Sequence, residues 1–229
     1  MLYNYLLAGL DELSLNQKQR LSLDDLLALM REQLTQRDAA LLDLLLMTKD
    51  DAVISGILEE NPDLQEETSL SEDDLRTQLL YEYGMRCQNG FVRNWFEFNL
   101  NLNNVLAATI CRKHGFDIQK AVIGNNEVAQ QLRKNSSARD FGLAGILPEL
   151  NDIMRLAAID NLLERERHID ALRWQWTEEH TIFHNFEIEN VLTYYLQAAM
   201  LHRWDSLSRE EGEQVFRQLL MDLKKGIKF

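Results

Sequence analysis

Three residues have types and a spacing that meet a recognised chemical demand: His180, His184 and Glu187. If one helix runs through them, positions three and four apart share a face. Two imidazoles and a carboxylate on one face form a ligand set for a divalent ion such as zinc. Trp176 and Ile188 lie at four-residue intervals on that same face, however. The spacing therefore describes equally well two histidines packed beside apolar neighbours at a helix contact. Glu164 and His168, also four apart, stand in a charged ERER run that reads as a solvated face. Trp174 and Trp176 in RWQW would suit stacking on a planar ligand, but on an amphipathic helix they read as core plus rim. Asp50-Asp51 and Asp73-Asp74 sit where helices begin, a position that stabilises acids through the helix dipole and needs no acid–base role. No phosphate-binding glycine loop, HExxH or GxSxG is present, and no His follows a Glu by three residues as a di-iron bundle requires. The expectation is a non-enzyme with no cofactor, with His180, His184 and Glu187 as its one weak metal candidate.

A second group of residues is polar without being catalytic. The segment from Arg93 to Gly115, RNWFEFNLNLNNVLAATICRKHG, reads as one helix yet carries Asn94, Asn99, Asn101, Asn103 and Asn104. Asparagine is a poor helix former because its amide competes for backbone hydrogen bonds. At helical spacing Trp95, Phe98, Leu102, Val105, Leu106, Thr109 and Ile110 form an apolar stripe that includes Asn99. Asn94, Asn101 and Ala108, with Arg112 beside them, run along its flank. A buried amide without partners is costly, so these groups hold something specific. Either they fix helix register inside the protein, or they line a wall that binds a partner.

The elements that must carry these residues are helices. The chain has 229 residues, two prolines and ten glycines, and alternating β-branched runs are almost absent. The expected fold is all-α, a multi-helix bundle of long antiparallel helices with a smaller N-terminal helical lobe. Ser22 caps a first helix, with Asp24 and Asp25 in its first turn. A second helix spans Asp38 to Lys49, and a third spans Asp51 to Glu60, stopping before Asn61-Pro62. Residues 59–74, EENPDLQEETSLSEDD, hold eight acids and no base and read as a linker. Ser71 and Asp74 then open a helix to about Gln88, Asn89-Gly90 breaks it, and the Asn-rich helix follows to Gly115. Residues 116–147 are irregular apart from a short helix ending near Lys134. Pro148 opens a very long helix to about Glu179, and another covers Asn185 to Trp204. Ser208 and Glu211 cap a last helix that ends in Lys224, Lys225 and Lys228. The domain reading is a lobe at 1–70, including the acidic linker, and a main helical domain at 71–229.

Charge narrows the partners. The net charge is −13, and residues 11–74 hold 17 acids against five bases. This disfavours nucleic acid and anionic membranes as direct partners. Cys87 and Cys111 lack metal spacing and fit a reducing compartment, although spacing alone leaves a disulfide open. The opening MLYNYLLAGL has no basic region and is too short to span a bilayer, so it reads as a segment tucked against the core. The expected location is the cytoplasm, with any membrane association through a complex.

Three stretches carry a family resemblance: the opening MLYNYLLAGLDELSL, the segment FNLNLNNVLAATICRKHGFD, and the tail pieces ERHIDALRWQW, FHNFEIENVL and LLMDLKKG. Together they resemble a family of small helical bacterial proteins whose genes occur beside those for V/A-type ATPase subunits. That family is distantly similar to the V/A-type ATPase subunit called C in prokaryotes and d in eukaryotes. The latter is a non-catalytic helical socket that seats the rotating central stalk on the membrane proteolipid ring. The onward similarity rests on Asn103 or Asn104, Leu106, Arg112, Lys113 and Gly115, and this chain is shorter than the three-part socket. The resemblance implies protein partners in the central stalk or rotor ring, and Asn94, Asn101, Asn104, Arg112 and Lys113 as partner-binding residues. Two other readings compete with it. One is a generic cytosolic adaptor holding a partner helix in a groove; the other is a metal-dependent helical bundle using the histidine site.

Overall fold

A computed structural model describes residues 2–15, 22–66 and 70–206. The fold is all-α, and no strand occurs among the described residues. The helices are α1 Asn4–Ala8, α2 Leu23–Gln33, α3 Gln36–Leu46, α4 Ala52–Glu60, α5 Asp63–Glu66, α6 Glu72–Met85, α7 Gly90–His114, α8 Ile118–Ala121, α9 Glu127–Lys134, α10 Leu150–Ala157, α11 Leu162–Glu179 and α12 Ile188–Ser206.

Side-chain caps set most of the helix starts. Ser22 Oγ accepts from the Asp25 amide, Asp51 from Val53, Ser71 from Asp74, and Asn126 from Ala129. Asn89, expected only as a break, also caps α7 by accepting from the Val92 amide. At the other end of α7, Gly115 adopts φ 74°, a left-handed value that glycine reaches without steric cost. Arg112, Lys113 and His114 precede it, at the negative end of the helix dipole.

Two expectations about elements are corrected. The helix from Pro148 to Glu179 is not continuous. It ends at Ala157, and Asn161 caps a new helix by accepting from the Glu164 amide at 3.1 Å. The break shifts the helical phase, which leaves Leu162 and Leu163 exposed while Ile153, Ala157, Ile169 and Trp176 are buried. The acidic stretch 59–74 is also more structured than a linker. It holds the end of α4, all of α5 and the capped start of α6, and Lys49 pairs with Asp73 at 2.6 Å. The proposed cap at Ser208 and the lysines at 224, 225 and 228 lie outside the described residues.

The chain divides into two compact units, residues 36–172 and residues 1–35 with 173–229. The first limit lies between α2 and α3. The second limit lies inside α11.

In the unit formed by 36–172, α7 is the central helix and packs against α6, α8, α9 and α10. Its buried residues exceed the expected stripe. Phe91, Val92, Phe96, Leu100 and Ala108 join Phe98, Leu102, Val105 and Leu106, so the helix is covered on several sides. Gly84 of α6 makes this close approach possible: a Cβ there would meet the Phe96 ring at 2.2 Å. Gly84→Ala is therefore expected to destabilise the protein by about 1–3 kcal/mol through overpacking. A thermal melt within error of the wild type would refute this. Cys87 and Cys111 are both free thiols, and burial pushes the Cys111 thiol up.

In the other unit, α2 packs on α12. Leu26 and Met30 are fully buried, as are Val191, Leu192 and Ala198. Residues 2–8 are tied in through Tyr3 and Leu6, both buried. The Tyr3 hydroxyl accepts from the Thr35 amide, and the Tyr3 amide donates to the Phe186 carbonyl at 2.6 Å.

Candidate functional site

Four of the five asparagines of α7 are spent inside the unit. Asn104 is 1% exposed and clamps both backbone groups of one residue, Ile123, in the following loop. Its Nδ2 donates to the Ile123 carbonyl at 2.8 Å, and its Oδ1 accepts from the Ile123 amide at 3.0 Å. Asn101 Oδ1 accepts from Asn126, Asn103 donates to the Tyr81 hydroxyl, and Asn99 donates to the Trp95 carbonyl.

The loop they hold is buried backbone without regular structure, and buried backbone needs partners. Side chains from three helices supply them. Gln78 of α6 accepts from the Gly124 amide, while Arg133 of α9 donates to the carbonyls of Val122 and Gly124. Burial pulls the Arg133 guanidinium below its ordinary range, yet a guanidinium remains protonated at any physiological pH. Gly124 takes φ 75° against Leu100, a conformation that side-chain-bearing residues rarely adopt.

Four of the five residues of the expected partner-binding row have partners within the chain. Arg112 does not face outward as a free donor. It donates to the carbonyls of Ala138 and Arg139 and lies 4.1 Å from the Phe141 ring centroid. Lys113 pairs with Asp160 at 2.6 Å, which holds the Asp160 carboxyl below its usual range. Of Asn94, Asn101, Asn104, Arg112 and Lys113, Asn101 and Asn104 are buried, Arg112 and Lys113 have internal partners, and Asn94 is exposed. Asn101 and Asn104 thus anchor the loop that follows α8.

The histidine site is reorganised as well. α11 stops at Glu179, so His180, His184 and Glu187 do not lie on one helix. His180 stacks on Trp176 with centroids 3.8 Å apart. Its Nδ1 lies 2.8 Å from the Trp176 carbonyl, which can only accept, so Nδ1 carries the proton. His184 turns the other way. Its Nδ1 meets Glu187 Oε2 at 2.5 Å and stands 3.7 Å from Glu189 Oε2. Glu189 was not anticipated, because a helical reading separates it from His184 by five residues. Phe186, with φ 59°, lies in the turn that brings the two together.

The same turn exposes its apolar side chains. Phe183 is 92% exposed, Ile182 70% and Phe186 47%. Tyr5, at 96%, and Leu2 flank Tyr3, whose amide is bonded to Phe186. Exposed single hydrophobes are ordinary, but several large ones gathered on one turn are a mark of interaction surfaces. Trp174 and Trp176 are both buried, and Trp174 donates to Glu178, so the RWQW pair forms no open stacking platform. No described helix is long and apolar enough to cross a membrane.

These features define an all-α protein whose polar helix is internal and whose exposed chemistry lies on the α11–α12 turn. The chain belongs to the family described as "Protein of unknown function (DUF2764)", whose model matches residues 58–227. No curated protein matches the chain. No solved structure matches it either.

Proposed function

We propose that this protein is a non-catalytic helical component associated with a V/A-type ATPase, a socket or adaptor coupling the central stalk to the membrane rotor ring. The observation that carries the protein-binding part is the exposed α11–α12 turn, with Ile182, Phe183 and Phe186 open to solvent beside Tyr5. Aromatic side chains presented on a turn between helices are the usual anchors of protein interfaces. The motor assignment rests on the resemblance carried by the N-terminal, Asn-rich and C-terminal stretches. Acidic residues border the turn: Glu187 follows Phe186, and Glu189 lies in the first turn of α12. The partner that fits is a helical stalk end with an apolar tip and a basic rim, charge complementarity setting its orientation and encounter rate. Association with the membrane is then indirect, through the complex.

The test is a pull-down of the tagged protein from its own cells in gentle detergent, with mass spectrometry of the recovered chains. Stalk or ring subunits at comparable stoichiometry are the expected result. Recovery of the protein alone, from a lysate whose ATPase is intact, would discard the stable-subunit reading. A stoichiometric partner outside the motor would point to the generic adaptor instead.

A further inference from the structure

We propose that the N-terminal segment and the α11–α12 turn form one docking face, and that its occupant is a basic amphipathic helix of another protein. The inference rests on the protein-binding part of the reading above and not on the motor assignment. Both segments belong to the unit formed by 1–35 and 173–229. Backbone joins them, because the Tyr3 amide donates to the Phe186 carbonyl at 2.6 Å. Tyr3 and Leu6 are buried, and further along the segment the Tyr194 hydroxyl of α12 donates to the Asp11 carbonyl at 3.1 Å. The segment is thus held at both ends while Leu2 and Tyr5, 59% and 96% exposed, stay in water. Apolar side chains flank the Tyr3–Phe186 bond from both segments, Leu2 and Tyr5 from one and Ile182, Phe183 and Phe186 from the other. Large apolar groups gathered in this way mark an interaction surface, which single exposed hydrophobes do not.

Charge selects the occupant. No Lys or Arg occurs between Arg173 and Arg203, a stretch that holds Glu178, Glu179, Glu187 and Glu189. Residues 2–15 add Asp11 and Glu12, again with no Lys or Arg. Glu178 accepts from Trp174 and Glu179 from Gln175; both donors are neutral, so these bonds leave the carboxylate charges in place. A second copy of the chain would bring the same acids to the contact and be repelled. An anionic lipid surface would be repelled for the same reason. A helix with an apolar stripe for the patch and Lys or Arg along its flanks satisfies both the apolar groups and the acids.

The test titrates a synthetic amphipathic helix of leucine and lysine, about five turns long, into the full chain by calorimetry. A leucine and glutamate helix of the same apolar pattern serves as the control. The expected result is one Leu/Lys helix bound per chain, weakening as salt is raised, and no binding of the Leu/Glu helix. Leu2→Ser with Tyr5→Ser should weaken the Leu/Lys helix by at least about tenfold, and so should Ile182→Ser with Phe183→Ser. Each pair removes apolar anchors and leaves every charge in place. All four side chains are mostly in water, so both variants should stay folded, which circular dichroism checks. The proposal is overturned if the Leu/Lys helix does not bind, if the Leu/Glu helix binds as well, or if neither pair matters, which would reduce the contact to charge alone. It is equally overturned if only the turn pair matters; the N-terminal segment then drops out while the turn keeps its place in the preceding reading. A dimer of the unliganded chain that the Leu2 and Tyr5 changes abolish would assign the face to a second copy and overturn it too. The motor assignment is decided separately, by the pull-down.

Discussion

Replacing Asn104 by leucine should cost about 2–6 kcal/mol of stability, because it orphans two buried backbone groups at roughly 1–3 kcal/mol each. The two groups are the amide and the carbonyl of Ile123, both bonded to the Asn104 amide and to nothing that leucine offers. Leucine keeps the branched four-atom outline of asparagine but its methyl groups are bulkier than the amide, so some overpacking adds to the lost hydrogen bonding. Against a typical total of about 5–15 kcal/mol, this is a large fraction. Urea unfolding should show a lower midpoint at an unchanged slope. Asn94→Ala, on the exposed side of the same helix, should stay within about 0.5 kcal/mol of wild type. If Asn104→Leu is as stable as the wild type and instead loses a partner, the asparagines are a binding wall and the anchoring account fails.

The paired change Ile182→Asp with Phe183→Asp should do the reverse. Both side chains are mostly in water, so the melting temperature should move by about 2 °C or less. Binding to the partner recovered in the pull-down should weaken by at least about 30-fold, the effect of losing one interface anchor worth roughly 2 kcal/mol. Undiminished binding by the double variant would remove the α11–α12 turn from the interface and with it the observation that supports a protein partner there.

Much of the fold was legible because it is written in local signals. Ser22, Asp51 and Ser71 cap where their side chains imply, and Gly115 takes the left-handed turn that its place after three cations implies. The break at 158–161 was hidden by an apolar periodicity that runs through it, although Asn161 followed by Glu164 was a readable cap. The Asn-rich helix announced that its amides had specific partners but not which ones, since Ile123 is 19 residues from Asn104 and no local rule connects them. Gly84 gave no signal at all, because its role depends on where Phe96 of another helix comes to lie. The spacing of His180, His184 and Glu187 assumes a helix that in fact stops at Glu179. A continuous helix pairs His180 with His184, whereas the observed turn directs His184 toward Glu187 and returns His180 to Trp176. No proline or glycine stands between Glu179 and Ile188 to warn of it.

The division into units has a consequence for how the chain is made. Residues 36–172 are continuous and can close their core as soon as they leave the ribosome. The first 35 residues cannot, because α2 packs on α12, which is synthesised last among the described helices. At 5–20 residues per second, α2 waits roughly ten to thirty seconds for its partner. Throughout that interval Leu26 and Met30, fully buried in the finished protein, have no native cover. Nascent α2 thus presents an apolar face that waits for its partner helix, and the acids Asp24, Asp25 and Glu32 along it oppose premature association.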